Sequence, residues 1–198
     1  LREAQTMAMA VPNTGMVVTM DIGNPVDIHP VKKREVGERL ALWALAKLYG
    51  KDVECSGPVM KSFSVKGGAM EIVFEHAAGL NSGGKEVTHF TIAGEDRKFV
   101  PAKAVIEGDR VVVSAEGVAA PVAVRFAWGA ADEPNLRNGA GLPAGSFRTD
   151  DWPGDSEKSP RPRSRLDVRD AEMHLAAPIE RWDEAVPLGN GLVGALVW

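Results

Sequence analysis

The chain contains 198 residues, of which 44% are hydrophobic and 25% are charged, a composition typical of a globular protein with one or two domains. Its formal net charge is -4 at pH 7 and its basic residues are scattered, so the sequence predicts no nucleic-acid partner and no membrane partner. No apolar run approaches the roughly 18 residues that a membrane-spanning helix needs.

The first elements are a short helix-forming segment, 1–10, and an apolar run, Met16–Met20, with a helix-breaking stretch between them. A short, nearly continuous apolar run predicts a strand buried on both faces of a parallel sheet. Ligands bind beyond the carboxyl ends of strands in open α/β sheets, so the loop at 21–30 is expected at a functional site. Because the chain begins at Leu1 and shows no signal peptide, we expect it to be a fragment of a longer protein.

Two residues of this loop, Asp27 and His29, could perform acid–base chemistry. A histidine acts as a general base when a partner fixes its tautomer, and a carboxylate two residues away can be that partner. A serine-type nucleophile would complete the set. In the alternative interpretation, Asp27 caps the next helix and His29 is an ordinary loop residue. These residues alone leave both interpretations open.

A helix is predicted over Val31–Tyr49, because its apolar residues recur at intervals of three and four and Gly50 follows it. Trp43 lies on the apolar face of this helix and is expected in the core. After Gly50 the pattern changes to short alternating segments punctuated by glycine. We therefore place a domain boundary near 52–56, after a first domain at 1–54.

Residues 55–152 predict an antiparallel β-sandwich rather than βαβ units, because short strands are separated by turn signals. The predicted strands are Val59–Val65, Met70–His76, His89–Ala93, Ala104–Glu107, Arg110–Ser114 and Val122–Trp128. This sandwich is expected to be an accessory domain packed on the first domain. The functional alternative is a carbohydrate-binding module in which exposed Trp128 or Trp152 stacks on sugar, although aromatic side chains are more often buried.

No metal site is predicted. His76 and His89 fall on or beside strands with no Cys or paired His nearby, which favours a structural or surface role for both residues. The lone Cys55 is expected to be a small buried residue or a linker residue rather than a nucleophile, because no local motif activates it.

Several motifs, in the same order, resemble the carboxyl-terminal part of sialate O-acetylesterase-like enzymes of the SGNH hydrolase superfamily. The motifs are Arg2-Glu3-Ala4-Gln5, Val11-Pro12-Asn13-Thr14-Gly15-Met16, Asp27-Ile28-His29-Pro30, Val36-Gly37-Glu38-Arg39-Leu40-Ala41, Ser56-Gly57-Pro58, Ile92-Ala93-Gly94-Glu95-Asp96, Phe99-Val100-Pro101-Ala102 and Phe147-Arg148-Thr149-Asp150-Asp151-Trp152-Pro153. The usual superfamily pattern places an Asp three residues before the His. In this chain that position is Val26, so the orienting acid is expected to be Asp27, with Asp21 as the alternative.

The last part of the chain has a different character. Residues 153–165 combine Pro, Ser and alternating charges, which predicts a semi-extended linker. Residues 166–198 carry motifs that resemble the start of α-L-fucosidase-type enzymes of glycoside hydrolase family ninety-five. The matching residues are Pro178, Trp182 and Glu184-Ala185-Val186-Pro187-Leu188-Gly189-Asn190-Gly191-Leu192-Val193-Gly194-Ala195. An unrelated Gly-rich turn between two apolar strands is the alternative.

The first resemblance implies an α/β fragment, the end of an SGNH-type three-layer hydrolase, followed by the antiparallel β-sandwich. It implies hydrolysis of acetyl esters on sugars, with His29 as the base and Asp27 as its orienting acid. The serine nucleophile and the oxyanion donors are expected to be absent from this chain, so the chain alone should lack catalysis.

The implied partner is an O-acetylated sugar or glycan, and the implied mechanism requires no metal and no organic cofactor. Secretion or a periplasmic location is inferred from that substrate, while the oligomeric state stays open. Two alternatives remain: a noncatalytic glycan-binding module, and a part of an α-L-fucosidase-type glycoside hydrolase.

Overall fold

A computed structural model describes residues 1–27 and 29–153, together with two short strands farther along the chain. Residues Arg2–Asp151 form one compact unit. The second unit contains an antiparallel pair, which we label β9 (Val186–Gly189) and β10 (Gly194–Val197). Beyond residue 153, the predicted linker at 153–165 and the rest of the predicted fucosidase-like start lie outside the described residues. No helix in the described part of the chain is long and apolar enough to cross a membrane.

Two helices belong to the amino-terminal segment. They are α1 (Arg2–Ala8) and α2 (Lys33–Trp43), and α2 continues into one turn of π-helix at Ala44–Leu48. The predicted helix is confirmed, although it begins two residues late. The helical segment ends at Leu48, one residue before the predicted end, and Gly50 takes a left-handed φ of 62°, which a glycine adopts at little cost.

The predicted strand at Met16–Met20 is wrong for this structure, because residues 16–19 belong to no strand. A strand requires a neighbour that pairs with its backbone, and no described strand pairs with this segment. Its side chains are instead partly buried, and Met20 packs against the sandwich core. Every strand pair among the described residues is antiparallel, so a parallel SGNH-type sheet stays a prediction.

The predicted antiparallel sandwich is confirmed. Its eight strands are β1 (Val59–Lys66), β2 (Ala69–Glu75), β3 (Phe90–Ala93), β4 (Val100–Pro101), β5 (Lys103–Glu107), β6 (Arg110–Ser114), β7 (Ala123–Phe126) and β8 (Phe147–Arg148). One four-stranded sheet has the order β1-β2-β6-β5 and the other has the order β4-β3-β7-β8. The six predicted strands are present with small shifts at their ends, and the two-residue strands β4 and β8 were not predicted.

The core lies between the two sheets. Alternate residues of β2 and β6 face it from one side, including Ile72 and Val111, and residues of β3 and β7 face it from the other side. Three aromatic rings, Phe90, Phe126 and Phe147, pack against one another there with centroid separations of 4.6 to 6.1 Å. Burial of this apolar surface is the main force that holds the sheets face to face.

The amino-terminal segment packs on the sandwich within the same unit. Arg2 donates a hydrogen bond to the carbonyl oxygen of Gly129, and Glu3 forms an ion pair with Arg148. Trp43, which was expected in the core, is half-buried and packs on Gly15, where a Cβ atom would lie only 2.7 Å from the indole ring. The division of this unit into domains at 1–54 and 55–152 stays a prediction.

Candidate functional site

The loop that follows residues 16–20 is shaped by hydrogen bonds from its own side chains. The backbone N–H of Val26 donates to Oδ1 of Asn24 at 3.0 Å, and the N–H of His29 donates to Oδ1 of Asp27 at 2.8 Å. Such contacts to a backbone two residues on are typical of Asx turns. Ile22 is the buried residue that anchors the start of the loop.

Asp27 and His29 lie side by side at the surface. Nδ1 of His29 is 3.5 Å from Oδ1 of Asp27, and their side chains are 81% and 54% exposed. The alternative role of Asp27 as a helix cap is wrong, because the N-cap residue of α2 is Lys32 and no side chain caps that helix. Within the described residues, His29 has no hydrogen bond to a serine.

Asp21 is held in place by a different partner. Both of its carboxylate oxygens accept hydrogen bonds from Arg39 at 2.7 Å, and the two side chains are only 14% and 12% exposed. Arg39 also donates to the carbonyl oxygen of Val18. Arg39 therefore holds the start of the loop against helix α2. It also binds both carboxylate oxygens of Asp21, the residue that was the alternative partner of His29.

A cavity of about 110 Å³ lies between the amino-terminal segment and the sandwich, and its lining is mostly apolar. Its polar groups include Cys55, Ser56 and Ser146. Burial raises the pKa of the Cys55 thiol, which keeps it protonated, and Ser56 donates its hydroxyl proton to the carbonyl oxygen of Gly57. Neither Asp27 nor His29 lines this cavity.

His76 and His89 each lie beside a strand end and close to a carboxylate. Nδ1 of His76 lies 2.8 Å from Oε1 of Glu54, and Nδ1 of His89 lies 3.6 Å from Oδ1 of Asp132. Both histidines have a positive φ, near 54° and 63°, so each marks a sharp bend at a strand end. In the part of the chain that the structure describes, no group of three metal-binding side chains is present.

The pKa of the Glu54 carboxyl group is lower than its ordinary value. Its burial favours the neutral acid, but hydrogen bonds from the N–H of Ser56, from His76 and from the N–H of Cys55 outweigh this effect and lower the pKa of Glu54. Glu54 therefore stays ionised and ties the entry of the sandwich to the end of β2.

A cluster of aromatic and cationic side chains lies where β7 and β8 pair. Arg125 and Arg148 are direct cross-strand partners. The guanidinium carbon of Arg125 lies 4.2 Å from the ring centroid of Phe99 and 5.4 Å from that of Trp128, while that of Arg148 lies 5.6 Å from Trp128. The sequence pattern indicates Trp128 but not the cations, because β8 has only two residues and therefore no periodicity.

Trp128 is exposed, as the carbohydrate-binding alternative requires, whereas Trp152 is half-buried. Ala127, the residue before Trp128, is fully buried and has a φ of 47°, a conformation that is uncommon outside glycine and asparagine.

Comparison with known proteins relates the chain to a solved structure. The chain is similar to the crystal structure of a carbohydrate acetylesterase from Xanthomonas citri, with 49% sequence identity and a TM-score of 0.74. The match covers 77% of this chain and 36% of that protein, so the chain spans about a third of the length of the structure it matches. No protein-family model matches the chain, and no curated protein matches it. The chain is thus related in sequence and in fold to a carbohydrate acetylesterase.

Proposed function

We propose that the chain forms part of a carbohydrate O-acetylesterase and supplies the histidine and the orienting acid of a Ser-His-Asp site. The observation that supports this most is the 49% identity to a carbohydrate acetylesterase, combined with a carboxylate placed beside an exposed imidazole. The proposed substrates are acetyl esters on sialic acid or on other glycans. The proposed location of the protein is outside the cytoplasm.

In the proposed reaction, a serine outside this chain attacks the acetyl carbonyl carbon and Nε2 of His29 takes the hydroxyl proton. Asp27 accepts the Nδ1 proton as a hydrogen bond and stabilises the imidazolium. The tetrahedral intermediate collapses, the sugar oxygen leaves with the proton from Nε2, and an acetyl-serine remains. Water, deprotonated by His29, then releases acetate and restores the serine.

Asp27 is the better candidate for the orienting acid. Asp21 already accepts both of its hydrogen bonds from Arg39, and breaking that ion pair would leave a nearly buried guanidinium without its carboxylate. Asp27, in contrast, accepts a hydrogen bond from the N–H of His29 within its own turn. In this proposal Asp21 and Arg39 are positioning residues that hold the loop.

The test is a chimera in which residues 2–151 replace the matching third of the Xanthomonas citri enzyme. We expect it to hydrolyse 4-nitrophenyl acetate and an O-acetylated oligosaccharide. His29→Ala should lower kcat by about 10²-fold to 10⁴-fold, and Asp27→Asn should lower it by a similar order, because both disrupt proton transfer.

The matched control is His76→Asn, which also removes an imidazole. His76 lies outside the candidate catalytic loop, and asparagine tolerates the left-handed φ of this position. Its kcat should stay within a few-fold of the parent chimera. Unchanged turnover in folded His29→Ala would reject the proposed mechanism. A large loss for Asp21→Asn, with none for Asp27→Asn, would move the orienting role to Asp21.

A second candidate function concerns the end of the chain. We propose that 166–198 is the start of an α-L-fucosidase-type module, supported by the motif between Val186 and Ala195. A longer product of the same gene should then release fucose from a 4-nitrophenyl α-L-fucoside, and a product without this activity would leave the hairpin β9–β10 as an unrelated turn.

A further inference from the structure

The backbone on both sides of the exposed Trp128 is tied down by hydrogen bonds. The N–H of Ala127 donates to the carbonyl oxygen of His89 at 2.8 Å, which joins two residues that both have a left-handed φ. The N–H of Gly129, the residue after Trp128, donates to Oδ2 of Asp132 at 2.7 Å. Backbone strain of this kind is kept where it positions a functional group.

The guanidinium groups that lie over the Trp128 ring are already neutralised. Arg125 forms two hydrogen bonds with Asp150, at 2.9 and 2.8 Å, and Arg148 forms an ion pair with Glu3. The surroundings of the ring therefore carry little net positive charge that would attract an anionic ligand. An exposed indole among balanced charges suits the apolar C–H face of a neutral pyranose, whose hydroxyls could contact the polar groups nearby.

The position of the ring agrees with such a role. Arg2 donates a hydrogen bond to Gly129 at 2.6 Å, so the Trp128 loop contacts the start of α1. Arg2 also lines a small cavity together with the residues from Met16 to Met20. Met20 is followed in the chain by Asp21 and the His29 loop. Through Arg2, the Trp128 loop therefore contacts the segment whose other end leads into the candidate catalytic loop.

We propose that Trp128 is a stacking platform for a neutral sugar residue of the glycan whose acetyl group is presented to His29. The placement beside His29 rests on the proposed function, but binding of the sugar to the platform does not. The platform would bind a pyranose unit at a distance from the ester and would favour oligosaccharides over single sugars.

The test uses the 198-residue chain and two ester-free probes, xylohexaose and cellohexaose, with hexagalacturonate as the anionic comparison. Isothermal titration should show binding of at least one neutral hexasaccharide and weaker binding of the anionic one. Trp128→Ala should weaken that binding about tenfold or more, and Trp128→Phe should retain part of it. Tyr49→Ala, which removes an exposed ring elsewhere, is the matched control and should change nothing.

A second measurement does not depend on whether the variants fold. N-bromosuccinimide oxidises exposed tryptophans, and mass spectrometry should show that the bound hexasaccharide protects Trp128. Absence of binding, equal effects of Trp128→Ala and Tyr49→Ala, or unprotected Trp128 would each overturn the platform. Hexasaccharide binding with an inactive chimera would reject the esterase proposal alone, whereas an active chimera without hexasaccharide binding would reject the platform alone.

Discussion

Arg39 joins the candidate catalytic loop to helix α2 through three hydrogen bonds. Two go to Asp21 and one goes to the carbonyl oxygen of Val18, all in a nearly buried setting. A bidentate guanidinium–carboxylate pair fixes both partners in one orientation. The position from which the loop starts is therefore determined by a residue of the helix that follows the loop.

Removing the charge of Asp21 should destabilise this chain. Asp21→Asn leaves Arg39 without its carboxylate, and we expect the free energy of unfolding to fall by about 2 kcal/mol, less than for a fully buried pair because some water reaches the site. Urea unfolding measures this change. The control is Glu38→Gln, which breaks the exposed pair with Arg34 and should cost under about 0.5 kcal/mol. Equal effects of the two substitutions would contradict the structural role of Arg39.

Glu54 should make stability depend on pH in the acidic range. Its pKa in the folded chain lies below the ordinary value of 4.5, so its contribution is fully present above about pH 4.5 and is lost as the pH falls further. Glu54→Gln should lower the melting temperature at pH 7, and the difference from the parent chain should shrink below pH 4.5. A difference that stays constant from pH 7 to pH 3 would contradict this role.

At the scale of elements, the long connection between β7 and β8 is held by Asn138. Its side-chain amide donates to the carbonyl oxygens of Ser56 and His76, and its Oδ1 accepts the N–H of Leu142. Asn138 is almost fully buried. One side chain thus adds three hydrogen bonds to the few backbone hydrogen bonds that hold this irregular segment.

Asn138→Ala should be among the more damaging substitutions. It leaves two carbonyl oxygens and one N–H without partners in a dry setting, so we expect a loss of about 2–4 kcal/mol in the free energy of unfolding. Asn24→Ala is the comparison, because it removes a similar contact to Val26 at the surface and should cost under about 1 kcal/mol. A loss for Asn138→Ala no larger than for Asn24→Ala would contradict this account.

The elements that sequence analysis identified are those with strong local periodicity. Strand β2 alternates buried residues with less buried ones, and Gly50 follows the helical segment that begins with α2, so both elements could be predicted. The apolar run at 16–20 has the composition of a strand, but strand formation depends on a neighbour that composition does not reveal. In the candidate site, Asp27 and His29 came from one short motif, while Arg39 escaped notice because it is 18 residues from Asp21 in sequence.

At the scale of the whole molecule, helix α2 and its flanks leave large apolar side chains in contact with water. Val31, Leu40, Leu48 and Tyr49 are all exposed, and none belongs to the sandwich core. Exposed apolar surface of this kind favours association.

We therefore expect the chain to self-associate or to bind a hydrophobic dye. Leu40→Lys combined with Leu48→Lys should reduce both effects, as measured by analytical ultracentrifugation and by dye fluorescence. Val105→Lys, which changes an exposed residue of the sandwich, should leave them unaltered. A monomer that binds no dye and unfolds in one sharp transition would contradict the prediction.

The contacts that fasten the amino-terminal segment also carry a consequence for synthesis. Arg2 meets Gly129 across 127 residues of sequence, and Glu3 meets Arg148 across 145. At ribosomal rates of about 5–20 residues per second, this segment waits roughly 7–30 s for its partners to be translated. During that interval its side chains lack the surface of the sandwich on which they pack in the folded unit. The order of translation thus delays the docking of this segment until the last strand of the sandwich has been made.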